Sequence, residues 1–478
     1  MKKLFLLPAL FLLSSSLLAE NIVIEPKVDE RTELMSIVFR LAGAEPYSMR
    51  QFVQSYSADI DKYFSPCTNH KIISFTQQVA NELDAMKFAI YTEISADTIR
   101  FIKDAENDWV SQHWKVNSAE AKRYLELLND FYRESNFHSF FEQHSQLYSV
   151  AEKRFADRLK AVDLDWFENF HGELPRGKFI CIISLVNGGF SYGPSITHTD
   201  GSKDIYSVMG TWRTDKKGLP LYPDEIVPTF IHEYNHSFCN PLINQFYLQL
   251  RKKAKQFYRP VADAMRTTGW NNERVMLDEI LVRACVIKYM EKNDASNVKE
   301  RVAFEQARGF LWIDRLAASL DTYLANRDKY PTLRDYMPEI VKLQNSLSFG
   351  KVQEEVGRGW PVIVSTSVPN NDRNVDPNLT QIVFTFDRPM ASPTMGLSYC
   401  SERMGNKIIP FITGREWNED KKELIVKVEL KPDTKYSISL WGWIFKGQDE
   451  LPVKGIHYLD FKTRTRYTQV ADSTAGKQ

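Results

Sequence analysis

Two histidines four residues apart constrain this chain more than any other feature. The segment Phe230-Ile231-His232-Glu233-Tyr234-Asn235-His236-Ser237-Phe238 sets His232 and His236 at i and i+4, with Glu233 beside the first. Residues at that spacing share a face on a helix. Two imidazoles placed so can point at one metal ion. Glu233 then lies one step round, close enough to take a proton from a water that the metal polarises without being a ligand itself. The flanks support a helix. Pro228 suits a first turn, and Phe230, Ile231, Tyr234 and Phe238 supply apolar packing positions. Asn240-Pro241 predicts the helix end, because the residue before a proline avoids helical geometry. The bland alternative is a pair of solvated or core-satisfied histidines with no metal role.

Two ligands do not complete a catalytic zinc site, which needs a third and one open position. The extended pattern HExxHxxGxxH is not met: Cys239 stands where its glycine would be, and Pro241-Leu242 follows. The best source of a third ligand is the segment from Asn272 to Glu291, which is apolar almost all round and so reads as a buried helix. A charge at Glu279 would be costly there without a partner. A metal would be such a partner, and Arg283, four residues on, could hold the second carboxylate oxygen. A plain Glu279–Arg283 ion pair is the alternative, and Asp278 and Glu273 are reserve ligands.

For polarising a substrate carbonyl the candidates are Tyr192 and His198, between two strand candidates, Lys178–Val186 and Ile205–Trp212. The loop Asn187–Pro194 could pair its backbone with an extended peptide, or could be an ordinary glycine-rich connection.

The rest of the chain is organised around this region. Lys2 and Lys3 precede an apolar run from Leu4 to Leu18 that ends in Ala19. This is the pattern of a cleaved secretory leader over residues 1–19. With Pro8 and a serine cluster the run falls short of the roughly 20 residues of a bilayer span. The absence of a cysteine at the cut argues against lipid anchoring. A strand candidate at Asn21–Pro26 leads into a helical region from about Glu30 to Phe170, with apolar steps of three and four in Thr32–Leu41, Ile72–Thr92 and Ala119–Glu134. Residues 20–175 form this helical part and 176–358 the metal-binding part. Beyond Gly357–Pro361, short alternating strands at Val362–Ser367, Gln381–Phe386, Glu423–Leu430, Tyr436–Trp443 and His457–Lys462 predict a β-sandwich over residues 361–465. Residues 466–478 read as a frayed tail. The fold class is α+β: a mostly helical domain with a small sheet, then a sandwich. The chain carries 61 basic and 61 acidic residues, so nothing argues for a nucleic-acid partner. Five cysteines, Cys67, Cys181, Cys239, Cys285 and Cys400, contain no CxxC pair. A cysteine zinc site is therefore disfavoured; a disulfide is possible, but the spacings do not choose its partners.

The stretch from Lys178 to Met290 resembles the zincin metallopeptidases, in the branch whose third ligand is a downstream glutamate. Arg31–Tyr47 (RTELMSIVFRLAGAEPY), FIHEYNHSFCNP and DEILVRA are similar to an uncharacterised family of exported bacterial HExxH proteins, a domain of unknown function. The resemblance implies zinc, with His232, His236 and Glu279 as ligands and Glu233 as base. Two features depart from the pattern. Forty-three residues (279 − 236) separate the last two ligands, a long gap, and Arg283 stands where that branch carries an aspartate that orients a histidine. Pro361–Pro369, Val375-Asp376-Pro377 and Val383–Met390 resemble bacterial Ig-like domains of the S-layer type.

The expected function is an exported zinc metallohydrolase, a peptidase acting on a peptide or protein substrate, without a stable membrane span. The alternatives are a non-catalytic binding or adhesion protein on the same scaffold, and an amidase for cell-wall or glycoprotein substrates.

Overall fold

The computed structural model describes residues 24–465 except 49–51, 107, 111–113, 392–394 and 399–403. The expected leader, the tail from residue 466 and Cys400 lie outside the described residues. The first part of the chain runs β1 (Lys27–Val28), α1 (Glu30–Leu41), α2 (Gln54–Tyr63), α3 (Lys71–Val79), α4 (Ala85–Ile90), β2 (Thr92–Ser95), β3 (Thr98–Phe101), α5 (Ala119–Glu134), α6 (Phe137–Gln143), α7 (Ser145–Leu159) and α8 (Trp166–His171). The central part follows as β4 (Gly177–Ser184), β5 (Ser195–Thr197), β6 (Lys203–Gly210), α9 (Ile226–Arg266), α10 (Glu273–Asn293), α11 (Val298–Ala307), α12 (Ile313–Ala325), α13 (Leu333–Ser346) and α14 (Phe349–Glu355). The C-terminal part is β7 (Ile363–Thr366), β8 (Asp372–Val375), β9 (Gln381–Phe386), β10 (Phe411–Trp417), β11 (Glu423–Glu429), β12 (Lys435–Trp441) and β13 (Ile456–Thr463).

Local chemistry accounts for the elements that matter most. Ser118 caps α5 by accepting from the Ala121 N–H, and the helix buries Ala121, Tyr124, Leu127, Leu128 and Phe131 on one stripe. Asn272 accepts from the N–H groups of Arg274 and Val275 and so starts α10. In the four-stranded sheet β1-β4-β6-β5, the strands β4 and β6 are parallel and β5 runs antiparallel at the edge. The continuous apolar run of β4 matches a strand covered on both faces. Glu33 on buried α1 accepts from the Leu185 N–H at 2.9 Å and the Ser184 hydroxyl at 3.1 Å, tying that helix to the end of β4. Burial pushes its carboxyl up to about 7.

Three sequence expectations need correction. Among the described residues the first strand is Lys27–Val28; of the predicted Asn21–Pro26, residues 21–23 lie outside the described residues and 24–26 are not in a strand. A β2–β3 hairpin interrupts the expected all-helical stretch; its turn, Ala96-Asp97, has φ of 47° and 58°, a left-handed turn normally marked by Asn or Gly. Finally, α9 does not stop at Pro241 but continues to Arg266 with Pro241 and Pro260 inside it. A proline costs such a helix a hydrogen bond. Burial of Leu242, Ile243, Leu250, Ala254 and Phe257 beyond it outweighs that loss.

In the C-terminal part, sheets β10-β11-β9-β7 and β12-β13-β8 share one core that includes Ile382, Phe384, Val426, Ile438, Leu440 and Leu459. Trp360 and Trp443 pack with Ala303 and Ala307 where this part meets α11, and Lys446 pairs with Glu300.

His171, at the end of α8, is locked against α9. Its Nε2 lies 2.8 Å from Asn235 Oδ1, and its ring stacks on Phe238 with centroids 4.2 Å apart. Burial pulls the imidazole down to about 3, whereas the unfolded chain takes up that proton near about 6.5. Between those values the unfolded state binds more protons, so stability falls as pH drops, by up to about 1.4 kcal/mol per pH unit from this group. Urea denaturation of wild type and His171→Gln from pH 7 to pH 4 should show the variant with the flatter dependence.

Candidate metal centre

α9 and α10 pack side by side and bring three ligand atoms together. Among the described residues, His232, His236 and Glu279 form a group that could hold a metal ion. Nε2 of His232 and Nε2 of His236 are 3.1 Å apart, and they lie 3.5 and 3.6 Å from the two oxygens of Glu279. Ligands of a tetrahedral ion with bonds of about 2.0–2.1 Å are separated by about 3.3–3.4 Å, close to each of these three contacts, two of which reach different oxygens of Glu279. Two nitrogens and one carboxylate oxygen suit a transition metal better than calcium or magnesium. Burial, then the nearby charge of Arg283, keeps His232 well below the usual imidazole range. It is therefore neutral, the form that binds a metal.

Neighbours orient two of the ligands. His236 Nδ1 is 3.2 Å from Asn240 Oδ1, which leaves Nε2 with the free lone pair. His232 Nδ1 is buried with no hydrogen-bond partner among the described residues. Arg283 donates to Glu279 Oε2 at 2.7 Å and, through its other nitrogen, to both oxygens of Glu305 at 2.8 and 2.9 Å. Glu305 is fully buried. Burial alone would raise its carboxyl, but Arg283, Arg301 and Arg308 outweigh that and hold it at about 2. The Arg283 guanidinium also lies over Trp270 and Phe310, 4.7 and 4.9 Å from the ring centres. Thus the predicted ligand and the predicted ion pair are the same residue: one oxygen of Glu279 is tethered by Arg283, and both face the histidines.

The reserve ligands lie elsewhere. Asp278 pairs with Arg274, and Glu273 accepts from the Tyr247 hydroxyl. Of the carbonyl-polarising candidates, Tyr192 lines a cavity of about 430 Å³ together with Glu233, His236 and Glu279. The Tyr192 hydroxyl is hydrogen-bonded to that of Tyr47. His198 does not line this cavity; Asp104 and Asp204 occupy its two ring nitrogens at 2.9 and 3.1 Å. His198 thus bridges Asp104 and Asp204 beside β5. Glu233 is buried, and burial together with the charge of Glu279 raises its carboxyl well above the ordinary range.

Sequence reasoning missed Asp84, Lys87 and Tyr91 of the α4 region, which also line the cavity. No spacing rule links those residues to a motif 140 positions or more downstream. Asn240 was findable, since it stands four residues after His236 on the same face. The backbone beside the site is equally specific. Tyr192 exchanges both of its hydrogen bonds with Val208 at 2.9 and 2.8 Å, extending the β5 edge toward the metal helix. Gly193 turns its Cα to α9: a Cβ there would sit 2.1 Å from the Glu233 carbonyl oxygen. Neither the N–H nor the C=O of Gly193 is bonded among the described residues.

Removing the tether should loosen the metal while leaving its ligands in place. Isothermal titration of zinc into apo-protein should show Arg283→Met binding about 10- to 100-fold more weakly than wild type. Glu279→Ala should lose high-affinity binding altogether.

Residues 24–343 match a family described as a domain of unknown function (DUF4932), a span that holds every residue of this centre and stops before the C-terminal sheets. No curated protein matches the chain. Two solved structures of an S-layer protein show a weak likeness. The crystal structure of rSbsC(31-844) has 11% identity and a TM-score of 0.18, covering 50% of this chain and 34% of that one. The structure of SbsC domains 1-6 has 12% identity and a TM-score of 0.17, covering 54% and 35%. The chain thus spans about a third of each, and at such scores the likeness carries no argument about fold or function. With the family match extending over more than half of its length, the chain belongs to the DUF4932 family.

Proposed function

We propose that this chain is an exported zinc-dependent peptidase. The observation that carries the proposal is the convergence of His232, His236 and Glu279 beside a cavity into which Glu233 also faces. Zinc bound there would lower the pKa of a water to about 7 and polarise a carbonyl. The remaining roles belong to the chain itself. The Glu233 carboxylate takes the proton of the attacking water and delivers it to the leaving amide nitrogen. Its raised affinity for a proton suits both halves of that task. Tyr192, hydrogen-bonded to the buried Tyr47, lines the cavity beside the metal group and would turn its hydroxyl to the developing oxyanion. The unbonded N–H and C=O of Gly193 offer an extended substrate the pairing that a sheet edge provides. Export rests on the basic-then-apolar start of the sequence, and among the described residues no helix is long and apolar enough to cross a membrane. The seven C-terminal strands, read as an Ig-like module, would space or dock the enzyme.

Zinc-loaded protein should cleave members of a mixed peptide library. Glu233→Gln should keep its zinc and lose about 100- to 10,000-fold in kcat; undiminished cleavage would remove the mechanism. Gly193→Ala should lower kcat/KM, because the added methyl group displaces the strand from Glu233. Zinc binding with firm peptide binding but no turnover would instead favour the adhesion reading.

A further inference from the structure

The two helices that supply the metal ligands also carry a facing pair of cysteines that the proposed chemistry does not use. Cys239 lies three residues after His236 on α9, and Cys285 six residues after Glu279 on α10. Their sulfurs are 3.7 Å apart. Both side chains are 0% exposed, and the sulfurs sit at van der Waals separation, outside any metal-binding group of three among the described residues. Cys67 and Cys181 make no sulfur–sulfur contact among the described residues. We propose that Cys239 and Cys285 are joined in a disulfide that clamps the ligand helices together, formed while the chain folds in an oxidising compartment. The source of the oxidant rests on the export reading above; the juxtaposition of the thiols does not.

The chemistry is thiol–disulfide exchange with a small or protein disulfide donor. One S–S bond forms between Cys239 and Cys285 while the donor's S–S bond breaks. The two thiol protons end on the donor's sulfurs, and the two electrons given up by the cysteines reduce the donor. Because both sulfurs are sealed from solvent in the folded chain, exchange has to precede the closing of α9 on α10. A chain folded under reducing conditions therefore keeps two thiols that later oxidant does not reach. The bond closes a 46-residue separation, long enough to restrict the unfolded chain substantially. It also ties down the point where two separate helices must hold three ligand atoms in register, so its expected effect is on metal retention and thermal stability.

The test uses the full chain, unfolded and refolded with zinc in either a glutathione redox couple or dithiothreitol. After oxidative refolding, a non-reducing digest should contain a Cys239–Cys285 cross-linked peptide two hydrogens lighter than the sum of its parts. Thiol titration in denaturant should find three free cysteines of the five in the sequence. The oxidised form should melt about 5 °C or more above the reduced form and lose zinc to a chelator several-fold more slowly. Five free thiols after oxidative refolding, or a cross-link to another cysteine, would overturn the proposal. Cys239→Ser and Cys285→Ser should each abolish the difference between the two preparations, and the double variant should add nothing further; additive losses would also count against the bond. The mass and thiol readouts do not depend on turnover, so a failed peptidase assay leaves this result separately interpretable. Protein recovered from the exporting cell reports on the compartment: a cross-link in the refolded chain but five thiols in the recovered chain would overturn the oxidising-compartment part of the proposal.

Discussion

Glu279 is a carboxylate on a helix that is buried on nearly every side, and the structure holds it there by a chain of charge. Arg283 donates to it at 2.7 Å and is itself gripped by the fully buried Glu305, which Arg301 and Arg308 also face. An isolated charge in such surroundings costs several kcal/mol, and here each carboxylate of the chain meets an arginine. The burial that makes the network necessary also makes it effective, since a low dielectric strengthens every contact. The result is a carboxylate oxygen fixed in space beside the two histidines, without an aspartate behind either of them. This is how the centre accommodates Arg283 at a position where the resemblance pointed to a carboxylate.

The same packing explains why α9 is so long. Its first turns place His232, Glu233 and His236 under the edge of the sheet, and its later turns, beyond Pro241, give α10 a surface to lie on. A helix that ended at Asn240 would hold two ligands and leave the third without support. The edge strand contributes from the other side. Gly193 approaches the backbone of Glu233 so closely that any side chain would collide, and its main-chain N–H and C=O, unbonded among the described residues, line the same cavity as His236 and Glu279. The strand edge and the His232–His236–Glu279 group are therefore parts of one packed unit.

Much of the fold was legible locally. Apolar steps of three and four marked α1 and α5, the Ile-rich run marked β4, and alternation marked β9, β11 and β13, because each pattern reports the period at which side chains meet a buried surface. The hairpin at Ala96-Asp97 was not legible, since neither residue advertises a left-handed turn. Nor was the continuation of α9, because a proline's local cost says nothing of the burial that offsets it. Among site residues, His232, Glu233 and His236 lay within one helical turn and could be read together. Glu279 was reached through the cost of burying its charge.

The sequence by itself determined that two imidazoles and a carboxylate would share one end of a helix, since a spacing of four fixes a common face whatever surrounds it. It also determined that a charged residue on a buried helix would need a partner. Only the tertiary structure decided which partner. It closed Glu279 on the histidines, set Tyr192 in the cavity and His198 between two aspartates, and brought Lys87 and Tyr91 to the cavity wall. Those choices depend on how helices and strands distant in sequence pack against one another, and a contact between distant residues leaves no period in either segment for a reader of the sequence to find.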